Sequence, residues 1–152
     1  ERTGHHTALY STASQHLSAE SAVHLLDSLH VPRKKIVIGS AFYTRVFKDV
    51  GEANNGLYQA GVFSHSFPFA ALDTAITATK GWSIHTDREA CSSYAYNKER
   101  RLFATYDDAM SVAAKAGYVR HEGLGGIMFW QLNDDRPLSG LLNVLANALH
   151  VR

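Results

Sequence analysis

Hydrophobic and polar positions along the chain follow two regimes. In the first, apolar residues gather in short runs, Lys35-Ile36-Val37-Ile38-Gly39-Ser40-Ala41-Phe42-Tyr43-Thr44-Arg45 and Gly125-Gly126-Ile127-Met128-Phe129-Trp130. Each run is opened by basic or turn residues and closed by an aromatic or charged group. Runs of this kind mark buried parallel strands, whose carboxyl ends carry function. Ser18 caps a predicted helix in which Ala22, Val23, Leu25, Leu26 and Leu29 share one stripe, and Val31-Pro32 stops it. Asp107 or Asp108 caps a second helix through Lys115-Ala116. Ser139 begins a last helix with Leu141, Leu142, Leu145 and Leu149 inward. Glu1 to Leu17, polar and rich in His, Ser and Thr, reads as a loop.

The second regime lies between Val46 and Thr105. Asn54-Asn55-Gly56, Gly61, Pro68 and Lys80-Gly81 punctuate short pieces there, and Ser93 to Asn97 and Arg101 to Tyr106 read as strands around the turn Asn97-Lys98-Glu99-Arg100. This is antiparallel α+β material. A crossover between adjacent barrel strands usually needs a few tens of residues, whereas about 80 separate the two apolar runs, so a small subdomain is inserted between them. The fold class expected is α/β: the C-terminal portion of a (β/α)8 barrel, about strands 7 and 8 with their helices, carrying an inserted α+β subdomain. Residues 1–47 and 108–152 are the barrel parts and 48–107 the insertion. Two barrel strands leave edges and apolar faces unpaired, so the N-terminal half of the barrel is an expected partner, either covalent or as a second piece.

Composition narrows the function. With 152 residues, 45% hydrophobic, 19% charged and a formal net charge of +1, the chain is an ordinary globular one. The longest Lys/Arg run is the three residues Arg33-Lys34-Lys35, and no apolar stretch approaches the roughly 20 residues of a membrane span. Nucleic acid and membrane are therefore not expected partners. The single cysteine, Cys91, forms no internal disulfide and reads as a small buried or half-buried residue. Metal-binding, phosphate-loop and nucleophile-elbow patterns are absent, no metal or cofactor is expected, and His5-His6 reads as a solvated loop pair.

Four segments, in order, resemble the glycoside hydrolase family 18 chitinases. Thr3-Gly4-His5-His6-Thr7-Ala8-Leu9-Tyr10 is similar to the family's segment after barrel strand six. Lys35 to Arg45 is similar to its strand seven. Asp87 with Tyr94-Ala95-Tyr96-Asn97 and Phe103-Ala104-Thr105-Tyr106-Asp107-Asp108 resembles the chitinase insertion domain, and Gly123 to Trp130 resembles strand eight.

A sugar ring is polar at its edge and apolar on its C–H faces, so its cleft needs aromatic plates and convergent hydrogen-bonding groups. The resemblance implies that Trp130 floors the subsite of the N-acetylglucosamine being cleaved, the alternative being a core Trp at the barrel mouth. Tyr43 and Arg45, two apart on an extended segment, point the same way, and the resemblance gives both a sugar contact. Asp87 aligns with a sugar-binding acid of the insertion domain. The Trp usual beside it is replaced by His85-Thr86, and an exposed turn Asp is the alternative. Ser92-Ser93 likewise replaces the usual Ala-Pro before Tyr94. Tyr94, Tyr96 and Tyr106 read mainly as subdomain core. Asp107-Asp108 reads as helix capping rather than as paired carboxylates, and Asp134-Asp135 as a polar loop.

The family's Asp-x-x-Asp-x-Asp-x-Glu segment, whose Glu protonates the leaving oxygen, is absent among the fourteen acids. No catalytic residue is therefore expected here; the acid Glu is expected upstream of Glu1. The resemblance implies chitin or chito-oligosaccharides as ligands, hydrolysis in which the substrate's own N-acetyl group is the nucleophile, and a secreted or periplasmic parent protein. A chitinase-like lectin with the acid substituted is the alternative.

Overall fold

The computed structural model describes residues 1–149. Strand β1 (Val37–Ala41) pairs in parallel with the distant β7 (Gly126–Trp130), placing Ile38 opposite Ile127 and Ala41 opposite Trp130. A separate antiparallel sheet holds β2 (Tyr43–Lys48), β3 (Val62–Pro68), β4 (Trp82–Asp87), β5 (Ser92–Asn97) and β6 (Leu102–Tyr106) in the order β3-β2-β6-β5-β4. The helices are α1 (Ala19–Ser28), the single turn α2 (Leu72–Ala75), α3 (Ala109–His121) and α4 (Leu141–Leu149).

The run 35–45, expected as one strand, divides at Phe42. The Phe42 N–H donates to the Trp130 carbonyl at 2.8 Å, whereas its own carbonyl accepts from the Phe69 N–H at 2.8 Å. Its ring is fully buried and stacks on Phe129, with centroids 4.6 Å apart. Phe42 is thus the last residue tied to the parallel pair, and Tyr43 the first of the antiparallel sheet.

Capping side chains set the helix starts. Ser18 and Ser21 form a capping box on α1, and Asp108 and Ser111 form one on α3. The start of α4 is held not by Ser139 but by Asp135, whose two carboxylate oxygens accept from Leu141 N and Leu142 N at 2.8 Å each. That carboxylate occupies the space a Cβ on Gly140 would need. Gly125 is equally constrained, since a Cβ there would lie 2.3 Å from the Lys34 carbonyl oxygen.

The expected stripe of α1 is only partly inward. Val23 is buried and Leu26 half-buried, but Ala22, Leu25 and Leu29 face solvent, because the helix meets the Leu9, Ile36 and Tyr118 cluster along one line only. In α4, Leu141 and Leu145 are buried and Leu142 is on the exposed side. Strands β1 and β7 are covered on one face rather than two. Ile127 and Phe129 pack inward, while Val37 and Met128 are about half exposed on the other face.

The antiparallel sheet is apolar on both faces. Val46, Ala95, Ala104 and Tyr106 join Phe42, α3 and α4 in one core; Phe47, Tyr94, Tyr96 and Phe103 form a second with Val50 and Leu57. The expected core role of the three tyrosines therefore holds, split between the two faces.

Asp107, expected with Asp108 as a capping residue, does something else. Asp108 makes the cap, while Asp107 is buried against the buried Lys115 ammonium, with contacts of 2.6 and 2.7 Å. It also accepts from Ala41 N at 2.9 Å, Ser111 Oγ at 2.7 Å and Thr7 Oγ1 at 3.1 Å. Removing the cation with Lys115→Met leaves a buried carboxylate uncompensated and is expected to cost about 3–5 kcal/mol, read from the denaturation midpoint of the intact protein. A loss below about 1 kcal/mol would show that the pair does not hold this region together.

Candidate functional site

Strand geometry gathers the polar and aromatic groups on one side of the junction between the two sheets. Phe42 and Thr44 are fully buried, so Tyr43 and Arg45 emerge on the opposite face of β2. Trp130 ends β7 with 61% of its surface exposed. Tyr43 and Trp130 line one depression of about 350 Å³, joined by Ser66, Phe67, Pro68 and Asp134. An aromatic plate beside polar side chains is the lining that a sugar ring requires.

Arg45 lies one step along the same face and lines a larger, 700 Å³ depression with His5, His6, Phe47 and Tyr58. Its guanidinium carbon sits 5.6 Å from the Phe47 ring centre and 5.0 Å from that of Phe63, a cation held between two π faces. His6 joins the two depressions, because its ring centroid is 5.4 Å from that of Tyr43.

Asp87 is placed apart from Tyr43 and Trp130. It ends β4 in a third depression with Thr12, Tyr58 and Tyr94, and both of its oxygens are engaged within the chain. Oδ1 accepts from Ala90 N at 3.0 Å and Oδ2 contacts His5 Nε2 at 2.9 Å. Burial alone would raise this carboxyl; the Ala90 N–H and His5 outweigh it and hold Asp87 below the usual carboxylate range. With Asp87 ionised, His5 Nε2 carries the shared proton and donates it. His85 stacks on Tyr94 with centroids 5.0 Å apart.

The histidine pair is not a solvated loop. His5 is buried, and His6 packs against Thr105 through its backbone N–H and Nδ1 at 3.4 and 3.3 Å. His5 Nδ1 and His6 Nε2 are buried without a hydrogen-bond partner. Desolvation lowers both imidazoles, and His6 falls to about 4, Asp107 opposing and Lys115, Arg45 and His5 reinforcing the shift. The loop carries them inward because Thr7 bonds Asp107 and His5 bonds Asp87, contacts that only the folded sheet supplies.

Cys91 is half-buried and burial pushes its thiol up, the opposite of what a nucleophile needs. Among the described residues, no group of three or more His, Cys, Asp or Glu side chains is placed to hold a metal ion. Nor, among them, is any helix long and apolar enough to cross a membrane.

The model of glycosyl hydrolases family 18 matches residues 1–135. The chain belongs to that family. Chitinase A1 of Niallia circulans is 37% identical over 114 residues, covering 70% of this chain and 16% of that protein. Chitinase B of Serratia marcescens is 32% identical over 143 residues, covering 76% and 28%. Among solved structures, a family 18 N-acetylglucosaminidase from Paenibacillus barengoltzii superposes on 97% of this chain and 44% of its own, with 37% identity and a TM-score of 0.87. The chain thus spans less than a third of the length of the two curated relatives.

His6 gives the site a pH signature. Its folded value, about 4, lies below the 6.5 of a free imidazole. Above pH 6.5 neither state binds the proton; as pH falls towards 4 the unfolded chain takes it up first, and stability drops. His6→Gln is expected to remove up to about 2 kcal/mol of the stability difference between pH 7 and pH 4.5, measured by urea unfolding of the intact protein. An unchanged difference would mean that the imidazole titrates as it does in water.

Proposed function

We propose that these residues form one wall and the floor of the substrate cleft of a chitinase, an enzyme hydrolysing β-1,4-linked N-acetylglucosamine polymers. The observation that carries this reading is the exposed Trp130 ring at the carboxyl end of β7, sharing one depression with Tyr43. Its ring is a flat apolar plate flanked by hydrogen-bonding groups, as a pyranose face and rim require.

In this reading Trp130 stacks under the sugar being cleaved and the Tyr43 hydroxyl meets its rim. Arg45 supplies donors one strand step away. The substrate's N-acetyl group attacks its own anomeric carbon, so no second carboxylate is needed from the protein. The acid that protonates the leaving oxygen belongs to barrel strands that these 152 residues do not include. Asp87 acts on the substrate indirectly, by fixing His5 and through it the loop that carries His6 to Tyr43.

The architecture proposed is the last part of a (β/α)8 barrel, with β1 and β7 as its seventh and eighth strands. The uncovered Val37 and Met128 face supports a place for further barrel strands against it. The inserted subdomain then starts at Tyr43 rather than at 48, because β2 already pairs within the antiparallel sheet.

In the intact protein, Trp130→Ala is expected to weaken chitotetraose binding by about 2 kcal/mol, roughly 30-fold in Kd by titration calorimetry, with a parallel fall in hydrolysis. Unchanged affinity would remove Trp130 from the cleft. Oligosaccharide binding with no hydrolysis in the unsubstituted protein would make it a sugar-binding relative instead of an enzyme.

A further inference from the structure

Strand β3 carries a defect in its pairing that changes what the cleft face presents. Opposite β2, Ser66 pairs with Arg45 and His65 with Val46, after which the register shifts and Phe63, not Ser64, pairs with Phe47. In a regular ladder, side chains alternate, so Ser66 and Ser64 would share the cleft face and Phe63 would point to the other side. The bulge adds one residue and reverses that parity, which is how bulges re-aim side chains. Two contacts place the phenyl ring on the Arg45 side. The Arg45 guanidinium lies 5.0 Å from its centroid, and the Phe47 ring meets it edge-on at 5.9 Å. Despite these contacts Phe63 is still 41% exposed. It is a fixed apolar plate, open to solvent on an edge strand.

The row on this face is continuous. Starting from Trp130, it passes Tyr43 beside Pro68, then Arg45 beside Ser66, and ends at Phe47 beside Phe63. Four residue steps along β2 carry the row from Tyr43 to Phe47, about 13 Å. That is further than one sugar ring reaches and suits a linear polymer lying along the strand.

We propose that Phe63 is the stacking plate of a distal sugar subsite, which takes a ring of the same N-acetylglucosamine chain bound over Trp130, and so sets preference for longer oligomers. The occupant follows from continuity: the row begins in the depression already assigned to sugar and alternates aromatic with polar or cationic groups, the lining that successive pyranose faces and rims require. This inference rests on the chitinase reading above.

The test is Phe63→Ala in the intact protein, with Kd measured for the dimer through the hexamer of β-1,4 N-acetylglucosamine. The unsubstituted protein is expected to gain affinity with length. Phe63→Ala should lose roughly fivefold to tenfold for the longest oligomers and leave the dimer unchanged, while Phe63→Trp restores the gain. Trp130→Ala weakens every length. An equal loss at all lengths would show that Phe63 acts only by supporting Arg45 and overturns the subsite; so would no loss at any length. A protein that binds no oligomer at all refutes the chitinase reading, and this inference with it. Phe63 is solvent-exposed, so thermal unfolding of the variant should match the parent and confirm that the comparison is between folded proteins.

Discussion

One buried carboxylate organises the junction on which the site stands. Asp107 receives four donors from three parts of the chain: the loop through Thr7, the end of β1 through Ala41, and α3 through Ser111 and Lys115. A buried ion pair adds little net stability over an apolar pair of equal volume, but its hydrogen bonds tolerate no slippage. Its contribution here is register. Ala41 faces Trp130 across the parallel pair, so the carboxylate that holds the Ala41 N–H also fixes where the Trp130 strand ends.

From that anchor the geometry propagates through Phe42. One backbone group bonds the parallel pair, the other bonds Phe69, and the ring fills the core between them. The direction of β2, and with it the aim of Tyr43 and Arg45, is therefore set by packing rather than by a free loop. The histidines complete the arrangement from the other side. Neutral and desolvated, they present flat rings instead of charges to Tyr43 and Tyr94.

What the sequence disclosed and what it hid divide along physical lines. Unbroken apolar runs, helix stripes and turn residues are local signals, and they located β1, β7, α1, α3, α4 and the β5–β6 hairpin, with Tyr43 and Trp130 at strand ends. Partners that meet only in the folded chain were not legible: His5 with Asp87, 82 positions apart, and Thr7 with Asp107, 100 positions apart. Strands β3 and β4 escaped because their exposed faces interrupt the apolar pattern. One signal was present and unused. Lys115 falls on the same face of α3 as the buried Val112, Ala116 and Val119, and a lysine inside an apolar stripe announces a buried acid. The bulge in β3 left no such trace, since Phe63-Ser64-His65-Ser66-Phe67 reads as ordinary alternation.

That same bulge separates two kinds of sequence change. Substitution at an edge strand alters which group is shown, but deletion or insertion of a single residue alters which side every group beyond it is shown on. Because β3 is bonded to β2 along one flank only, such a change disturbs few pairings. Length variation at this margin is thus a route by which related chains can exchange an aromatic for a hydroxyl on the open face while Tyr43, Trp130 and the Asp107 anchor stay where they are.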